Sequence, residues 1–363
     1  MDPTKFAKEL KVKEKIQETP DAVSLVLEIP KDLISQFRYQ AGQFVSFFLK
    51  IGGETLSRSY SLSTSPVVDQ EFKVTIKRVN GGRGSTFLCE QVKVGDTLLT
   101  TPPAGQFFKP TSEPAHFTLF AAGSGITPVF SILKTVLKTS DQNSVTLVYC
   151  NRDENSIIYK KELAALEQTY TSRLNVLHVL SRPVGPTSIP AGRVSAPLVE
   201  KIHRELAKDR RQEFYLCGPT EFMTLIQDTL MKLKVAKDQI HIEDFGVSVH
   251  QAPPSVDATW TVIGPEAPVE KPEKIIAQIN GETLEIAAKE GQSVLETLLE
   301  AGAQAPYSCM DGACMACMAK IQEGRVYQTD PGILTDDNVK NCEALTCQAK
   351  PLSRIVKLSY DNL

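Results

Sequence analysis

Four cysteines near the C-terminal end, Cys309, Cys314, Cys317 and Cys347, follow the spacing C-x4-C-x2-C, with the fourth far downstream. Four thiolates hold a [2Fe-2S] cluster in this layout: one short loop supplies three, and a distant residue completes the tetrahedra of two iron atoms. Gly312 falls between the first two, where the backbone must bend tightly and turn N–H groups toward sulfur. A zinc ribbon would need two C-x2-C pairs, and the sequence offers one. A disulfide framework suits a short secreted chain, whereas this one opens MDPTKFAKELKVKEK, charged and without an apolar segment. No histidine follows His250, so a cluster with two histidine ligands cannot be built in this region. The expectation is an all-cysteine cluster of low potential, on the order of −400 mV for its class.

The rest of the chain is large enough for more than a cluster domain. With 363 residues and 42% hydrophobic content it can bury two or three separate cores. Its densest apolar runs, Phe44 to Leu49 and Phe117 to Ala122, have strand length and fall short of the roughly 18 residues that span a bilayer. No membrane span and a cytoplasmic location are therefore expected. The formal net charge is −3, and from Glu273 onward 13 acidic residues stand against 8 basic ones. Such an acidic segment suits a basic docking surface on a protein partner, and equally an ordinary solvated surface. Nothing points to nucleic acid.

Pattern divides the chain into segments. From Leu10 to Phe108, short alternating strands (VSLVLEI, FVSFFLKI, FKVTIKRV) punctuated by Gly and Pro predict a small antiparallel β-barrel, assigned to residues 1–110. From 111 to 245, the strand-like runs FTLFAAG, VTLVYC, LNVLHVL, EFYLCG and HIEDF alternate with helical stretches, predicting a doubly wound α/β domain with a parallel sheet. Five prolines between 246 and 272 read as a linker. Residues 273–363 restart as strand, Asn280-Gly281 turn, strand, helix and cysteine loop, an α+β domain. The expected architecture is thus multi-domain.

Three loops carry candidate ligand chemistry. Arg58-Ser59-Tyr60-Ser61 interrupts the apolar alternation of a barrel strand. Its guanidinium can neutralise a pyrophosphate, its phenol can stack on a planar ring and Ser61 can hydrogen-bond a ring nitrogen; a plain half-exposed strand is the competing reading. Gly81-Gly82-Arg83-Gly84-Ser85-Thr86 precedes a helical FLCEQV, so backbone N–H groups and two hydroxyls can hold phosphate, or the loop is a hairpin with a capped helix. Gly123-Ser124-Gly125-Ile126-Thr127-Pro128 follows the first strand of the parallel sheet and opens its first helix, where glycines admit a pyrophosphate and Pro128 suits the first turn. Cys217-Gly218-Pro219 ends a later strand at the carboxyl edge, where ligands of such sheets bind; Cys217 lies near a nicotinamide there or is a small buried thiol.

The order R-x-Y-S, G-G-x-x-S, G-x-G-x-x-P, C-G-P and a C-terminal plant-type cluster motif resembles the ferredoxin-NADP reductase superfamily. The form it resembles fuses flavin, nicotinamide and ferredoxin domains and serves bacterial oxygenases as their reductase component. The resemblance covers nearly the whole chain. It implies FAD on the barrel, NAD(P)H on the parallel-sheet domain and a [2Fe-2S] cluster on a β-grasp ferredoxin domain, held by Cys309, Cys314, Cys317 and Cys347. Arg58 would bind the flavin pyrophosphate, Tyr60 would pack on the isoalloxazine and Ser61 would lie near its N5, with Ser59 among the residues that bind the cofactor. Gly82, Ser85 and Thr86 would hold FAD phosphate; Gly123, Gly125, Thr127, Cys217 and Gly218 would place the nicotinamide nucleotide, with Tyr60, Ser61 and Cys217 flanking the reacting atoms. Ser181-Arg182 is similar to the pair that NADPH-selective members use on the 2′-phosphate, and Arg152 would assist or simply end its strand. NADPH is the favoured donor, with NADH as alternative; FMN in place of FAD stays open.

The implied activity is hydride transfer from NAD(P)H to flavin and single-electron delivery through the cluster to a partner oxygenase or hydroxylase. The linker would let the acidic cluster domain move from flavin to partner. A stand-alone reductase of a small acceptor and a redox sensor are the competing readings. Oxygen chemistry on the chain itself would need two E-x-x-H motifs on helices; Glu200 with His203 is the one clear match, read as a solvated helix face. Two departures stand out. Met315 occupies a loop position where related chains carry a small residue, and Cys342 is an eighth cysteine five residues before Cys347. With Cys347 as the ligand and Cys342 as a bystander, Cys347→Ser is expected to abolish the cluster's visible absorption and Cys342→Ser to leave it; the reverse spectra would exchange the two assignments.

Overall fold

In the computed structural model, residues 7–184, 191–205, 210–243, 245, 260–307, 312, 315–329 and 334–361 are described. The chain forms two units, Lys8–Phe245 and the residues that follow it. In the first, strands β1 (Lys8–Thr19), β2 (Ala22–Glu28), β3 (Phe44–Ile51), β4 (Glu54–Ser61), β5 (Phe72–Lys77) and β6 (Thr97–Thr100) pair in the order β4-β3-β6-β1-β2-β5, all antiparallel. An antiparallel bridge between Leu62 and Val74 joins the two outer strands and closes the barrel. Period-two alternation turns Phe72, Val74 and Ile76 of β5 inward with Leu10, Val12, Leu25, Val45 and Phe47. A short helix, α1 (Arg83–Thr86), continues as a π-helical turn over Phe87–Gln91.

The second half of this unit is a parallel sheet in the order β11-β10-β7-β8-β9. Its elements run β7 (Ala115–Ala122), α2 (Ile126–Thr139), β8 (Ser144–Asn151), α3 (Lys160–Thr169), β9 (Leu174–Leu180), α4 (Ala196–Glu205), β10 (Arg211–Cys217), α5 (Thr220–Lys232) and β11 (Ile240–Glu243). Adjacent residues of β7 serve opposite faces. Leu119 packs with Val129, Leu133 and Leu163 beneath α2 and α3, while Phe120 packs with Val199, Ile202, Ile226 and Leu230 beneath α4 and α5. Burial on both faces explains why the strands read as continuous apolar runs. Strand order reverses between β7 and β10, whose carboxyl ends lie side by side in the register Ala121↔Cys217.

The C-terminal unit contains a mixed sheet, β14-β13-β19-β15-β17, made of β13 (Lys274–Ile279), β14 (Glu282–Ala287), β15 (Met318–Glu323), β17 (Glu343–Leu345) and β19 (Ile355–Ser359). β13 and β19 are parallel, and α6 (Val294–Glu300) packs Leu295 and Leu298 into the core with Ile275, Ala277 and Leu358. This is the expected β-grasp arrangement. Asn280 and Gly281 both take positive φ, 53° and 80°, as a two-residue hairpin turn requires, and the Asp361 carboxylate accepts from both of their N–H groups at 2.8 Å. α6 begins with a reciprocal cap between Ser293 and Glu296.

One expectation needs correction. The stretch 246–272 is not linker throughout, because β12 (Trp260–Ile263) pairs with β16 (Val326–Thr329), which pairs in turn with β18 (Lys350–Pro351). Trp-Thr-Val-Ile has strong strand preference, and as an edge strand it tolerates flanking prolines. Residues 246–259 lie outside the described residues. A further helix, α7 (Asp336–Lys340), precedes Cys342. Among the described residues no helix is long and apolar enough to cross a membrane.

His116 illustrates a buried polar group that ties two strands of the sheet. Its ring nitrogens lie 2.8 Å from Ser144 Oγ and 3.1 Å from Thr146 Oγ1. Burial, reinforced by the positive charge of Arg210, pushes the imidazole down from 6.5 to about 4. Between those values the unfolded chain binds a proton that the folded chain refuses, so stability rises with pH across the window. His116→Asn is expected to remove a loss of about 3 kcal/mol that the native chain suffers between pH 6.5 and 4. Urea unfolding of both proteins across this range checks it; equal slopes would contradict the assignment.

Candidate cofactor sites

Strand alternation splits the Arg58–Ser61 segment between two faces: Arg58 and Tyr60 share one, Ser57, Ser59 and Ser61 the other. Arg58 Cγ sits 2.9 Å from the point where a Cβ on Gly84 would stand, so β4 and the Gly82–Thr86 turn converge, as expected of a phosphate site. The guanidinium donates to the Ser57 carbonyl at 2.6 Å and makes no ion pair among the described residues. A half-buried arginine without a carboxylate fits a bound phosphate. Tyr60 packs on the barrel core with its ring 5.7 Å from that of Phe47, and burial keeps its phenol protonated well above the usual range, against the opposing pull of Arg58. The Ser61 hydroxyl is 2% exposed and has no hydrogen-bond partner among the described residues, an orphan that a flavin ring nitrogen would satisfy. Ser57 Oγ is orphaned in the same way, and no sequence signal marks it. Ser59 is engaged with Ser46 at 2.7 Å.

Within the turn, Ser85 Oγ accepts from the Val79 N–H at 3.0 Å and donates to the Gly82 carbonyl at 3.3 Å. Its hydroxyl therefore holds its own loop in shape, and a Cβ on Gly82 would collide with it at 2.7 Å. The half-buried Thr86 follows, its N–H bonded to the Gly82 carbonyl at 3.0 Å. The Gly82 N–H is bonded to the Val79 carbonyl at 2.9 Å, so the groups left to meet phosphate are the N–H groups after Gly82, the Thr86 hydroxyl and Arg58.

At the switch point of the parallel sheet, the loop after β7 meets the loop after β10. Gly123 has φ +54°, and Gly125 is pressed so closely on the Cys217–Gly218 peptide that a Cβ there would stand 2.1 Å from the Cys217 oxygen. Gly218 in turn has no room for a Cβ beside Ala122 and Phe222, each 2.9 Å away. These glycines let the two loops touch each other, whereas their sequence pattern suggests only the approach of a ligand. The Thr127 hydroxyl donates to the Ser124 carbonyl at 3.0 Å and firms the loop. Cys217 is completely buried in the core under α2, a placement that agrees with the small-thiol reading of its side chain. Lys77, at the end of β5, reaches this loop from the barrel: its Nζ is 3.7 Å from the Cβ position of Gly123 and 3.8 Å from an Asp21 carboxylate oxygen. No sequence signal marks it, because it is one lysine in an alternating strand.

Further along the carboxyl edge of the sheet, the Ser181 and Arg182 N–H groups donate to the Asn151 and Arg152 carbonyls at 3.0 and 2.7 Å, so the ends of β8 and β9 present Arg152, Ser181 and Arg182 together. Arg152 is bonded to Asp153 at 2.8 Å, which holds the Asp153 carboxyl below its ordinary range. Glu154 accepts from the Val184 N–H at 2.9 Å. Both carboxylates are thus committed, whereas Arg182 is exposed and makes no ion pair among the described residues.

In the C-terminal unit, Cys317 is buried and Cys347 half-buried, both within one core. Thr346 ties them: its hydroxyl donates to the Cys317 carbonyl at 2.7 Å and lies 2.8 Å from the Tyr360 hydroxyl. Since that one hydrogen is committed, Tyr360 is the donor of the second bond. Gly312 has φ +75°, the bend expected in the cluster loop. Cys309 and Cys314 lie outside the described residues. Met315 and Cys342 take left-handed backbones with φ 54° and 60°. Two thiols from distant positions, brought to one core beside a tight glycine turn, fit the cluster.

Comparison with known proteins agrees with this geometry. Residues 9–108 match the oxidoreductase FAD-binding domain family, 119–228 the oxidoreductase NAD-binding domain family and 277–352 the 2Fe-2S iron-sulfur cluster binding domain family. The ferredoxin reductase component of 3-ketosteroid-9-alpha-monooxygenase from Rhodococcus rhodochrous is 34% identical over 95% of this chain and 94% of its own. The chain belongs to the family of oxygenase reductase components. A component of the 1,2-phenylacetyl-CoA epoxidase of Escherichia coli is 30% identical, over 95% of each chain. Phthalate dioxygenase reductase, at 22% identity, shares the fold over 97% of this chain and 98% of its own, with a TM-score of 0.56. The reductase is accordingly an oxidoreductase with FAD-, NAD- and [2Fe-2S]-binding domains.

Gly125→Ala tests the contact on which the nucleotide crevice rests. Because the clash is with backbone atoms, the expected destabilisation is about 3 kcal/mol, the upper end of the overpacking range, accompanied by loss of nucleotide binding. Urea unfolding and titration with NADP+ check it; unchanged stability would mean that the two loops part freely.

Proposed function

We propose that the reductase takes a hydride from a reduced nicotinamide nucleotide, preferentially NADPH, and delivers two electrons one at a time to a terminal oxygenase or hydroxylase. The observation that carries this reading is the convergence of Gly123–Gly125, Cys217–Gly218 and Lys77 at the switch point of the parallel sheet, with the strand that bears Lys77 bridged through Val74 to Leu62, next to Ser61. When bound, FAD accepts a hydride and the [2Fe-2S] cluster carries single electrons, so the two together match a two-electron donor to one-electron acceptors.

The chain's own residues bind, orient and exclude water. Arg58 and the N–H groups after Gly82 neutralise the FAD pyrophosphate. Tyr60 would pack against the flavin, and Ser61 would offer it a hydroxyl that has no partner among the described residues. Gly123, Gly125, Thr127 and Gly218 shape the floor of the nucleotide crevice, with Cys217 filling the core behind it. Lys77 adds a positive charge on the barrel side, suited to the nucleotide's phosphates. Cys309, Cys314, Cys317 and Cys347 ligate the cluster.

Arg182, with Ser181, supports NADPH: an uncommitted guanidinium at the ends of β8 and β9 suits a dianionic 2′-phosphate, while the nearby carboxylates that would suit a ribose diol are already engaged. The acceptor is a protein that docks on the acidic C-terminal unit through a basic surface.

Anaerobic stopped-flow spectroscopy with NADPH and, separately, NADH tests the whole reading. Flavin bleaching followed by cluster bleaching is expected, faster at low concentration with NADPH. A flavin that bleaches beside an unresponsive cluster would favour a stand-alone reductase of small acceptors. Arg182→Ala should weaken NADPH binding by about tenfold, the loss of roughly one charge-assisted contact, and leave NADH unchanged; equal effects on both would discard the NADPH preference.

A further inference from the structure

The two segments that carry the cofactor residues of the Lys8–Phe245 unit are joined to each other a few residues beyond each site. After Ser61 the chain closes the barrel at Leu62 and continues through Thr64 and Ser65 to Asp69. After Gly125 it continues as α2. On that helix Ser131, Lys134 and Thr135 share one face by their i, i+3, i+4 spacing, and this face meets the barrel segment. Ser131 Oγ donates to the Thr64 carbonyl at 2.6 Å, Thr135 Oγ1 lies 2.8 Å from Ser65 Oγ, and the Lys134 ammonium pairs with the Asp69 carboxylate. Ser131 and Ser65 are fully buried, and Lys134 is 8% exposed.

A second contact flanks the first. Phe130 carries the Lys134 ammonium over its ring at 4.5 Å from the centroid and stacks on Tyr159, also at 4.5 Å. Tyr159 holds a left-handed backbone at φ 59° and sends its hydroxyl to Thr75 of β5, 2.5 Å away. Thr75 is bonded further to Ser24 at 2.6 Å.

An apolar interface would hold barrel and sheet together without fixing their register, because hydrophobic attraction has no direction. A buried seam of hydroxyls and one ion pair is different. Any slide or rotation leaves polar groups unpaired inside the protein, so a single alignment is selected. Hydride transfer needs the reacting atoms about 3–3.5 Å apart, and a displacement of about 1 Å can cost about a hundredfold in rate.

We propose that the Asp69–Lys134 pair, supported by Ser131 and Thr135, is a positioning element that fixes the nucleotide-binding helix against the flavin-bearing strand and so sets the distance for hydride transfer. This rests on the function proposed above. Neither residue touches a cofactor; both act through the segments they anchor.

The test compares Lys134→Met, Asp69→Leu and the double variant in the full-length protein loaded with FAD and cluster. Lys134→Met leaves the half-buried Asp69 carboxylate without its cation, and Asp69→Leu leaves the buried Lys134 ammonium without its anion and the Ser65 N–H without its acceptor; each should lower the urea midpoint, and the double variant should regain the part that comes from the unpaired charge. A purely structural pair would recover its function together with its stability. A positioning pair would not: the double variant should still transfer hydride about 10- to 100-fold more slowly at saturating nucleotide, with the nucleotide dissociation constant changed less than about threefold. Spin labels at the exposed Lys50 on the barrel and Lys161 on the sheet side should give a narrow distance distribution in the native protein and a broad one in the double variant. A double variant with native rate and native distance distribution overturns the proposal, as does a slowing that stems only from weakened nucleotide binding. A native protein that takes hydride from neither nucleotide overturns the proposed function instead, and the label distances still decide the seam.

Discussion

A missing Cβ at residue 125 lets the nucleotide half of the molecule exist in its present form. The loop after β7 and the loop after β10 come from positions about ninety residues apart in sequence, and they meet where strand order reverses. With the Cys217 oxygen 2.1 Å from the place a Cβ would occupy, only glycine permits the contact. That contact packs the two loops directly against each other. It also fixes the starting point of α2, so everything the helix does along the barrel follows from it. The positive φ of Gly123 brings the loop within reach of Lys77, and a barrel residue thereby comes to stand beside the loop that follows β7.

Five described non-glycine residues, Tyr159, Lys234, Asn280, Met315 and Cys342, hold left-handed backbones. Tyr159, Met315 and Cys342 hold left-handed backbones that cost a non-glycine residue roughly 1–2 kcal/mol each. For Tyr159 the compensation is visible: a fully buried ring stacked on Phe130 and a hydroxyl bonded into the barrel. Cys342 sits just past the C-terminus of α7, where its N–H satisfies the Val339 carbonyl at 3.0 Å and its own carbonyl accepts from Ile321 at 2.7 Å. A glycine would reach the same geometry without strain. Met315 packs against the core that contains Cys317 and Cys347, so its bulk closes the surface that a small residue would leave open.

Much of the architecture is legible in the sequence because it depends on periodicity and on spacing. Alternation in FVSFFLKI and FKVTIKRV marks barrel strands, doubly buried runs such as FTLFAAG mark a covered parallel sheet, and the Cys309–Cys347 spacing marks a cluster. Contacts between distant segments leave no such trace. Lys77 reads as one more solvent-facing lysine until the fold brings Gly123 to it. In sequence the Ser85 hydroxyl reads as a phosphate ligand, yet it closes its own loop, since local side-chain to backbone bonds compete with any ligand for a serine at a turn. Trp260–Ile263 is hidden by neighbouring prolines, which exclude a central strand and leave an edge strand allowed.

The division into two units follows the physics of the two transfers. A hydride moves between atoms in van der Waals contact, so both of its partners need one rigid frame; the FAD- and NAD-binding domains accordingly share the Lys8–Phe245 unit, sewn together by buried polar groups. The 2Fe-2S domain lies in the other unit, whose core is built from its own strands and α6. Within that unit the alignment problem is smaller in scale: the Thr346 hydroxyl, bonded to the Cys317 carbonyl and to the Tyr360 hydroxyl, fixes the backbone of Cys317 against the residue that precedes Cys347. Both devices use the same principle, since a buried hydroxyl that loses its partner costs more than an apolar contact that slips. Specific alignment is therefore drawn from polar groups at the seams, while the apolar cores on either side supply most of the stability.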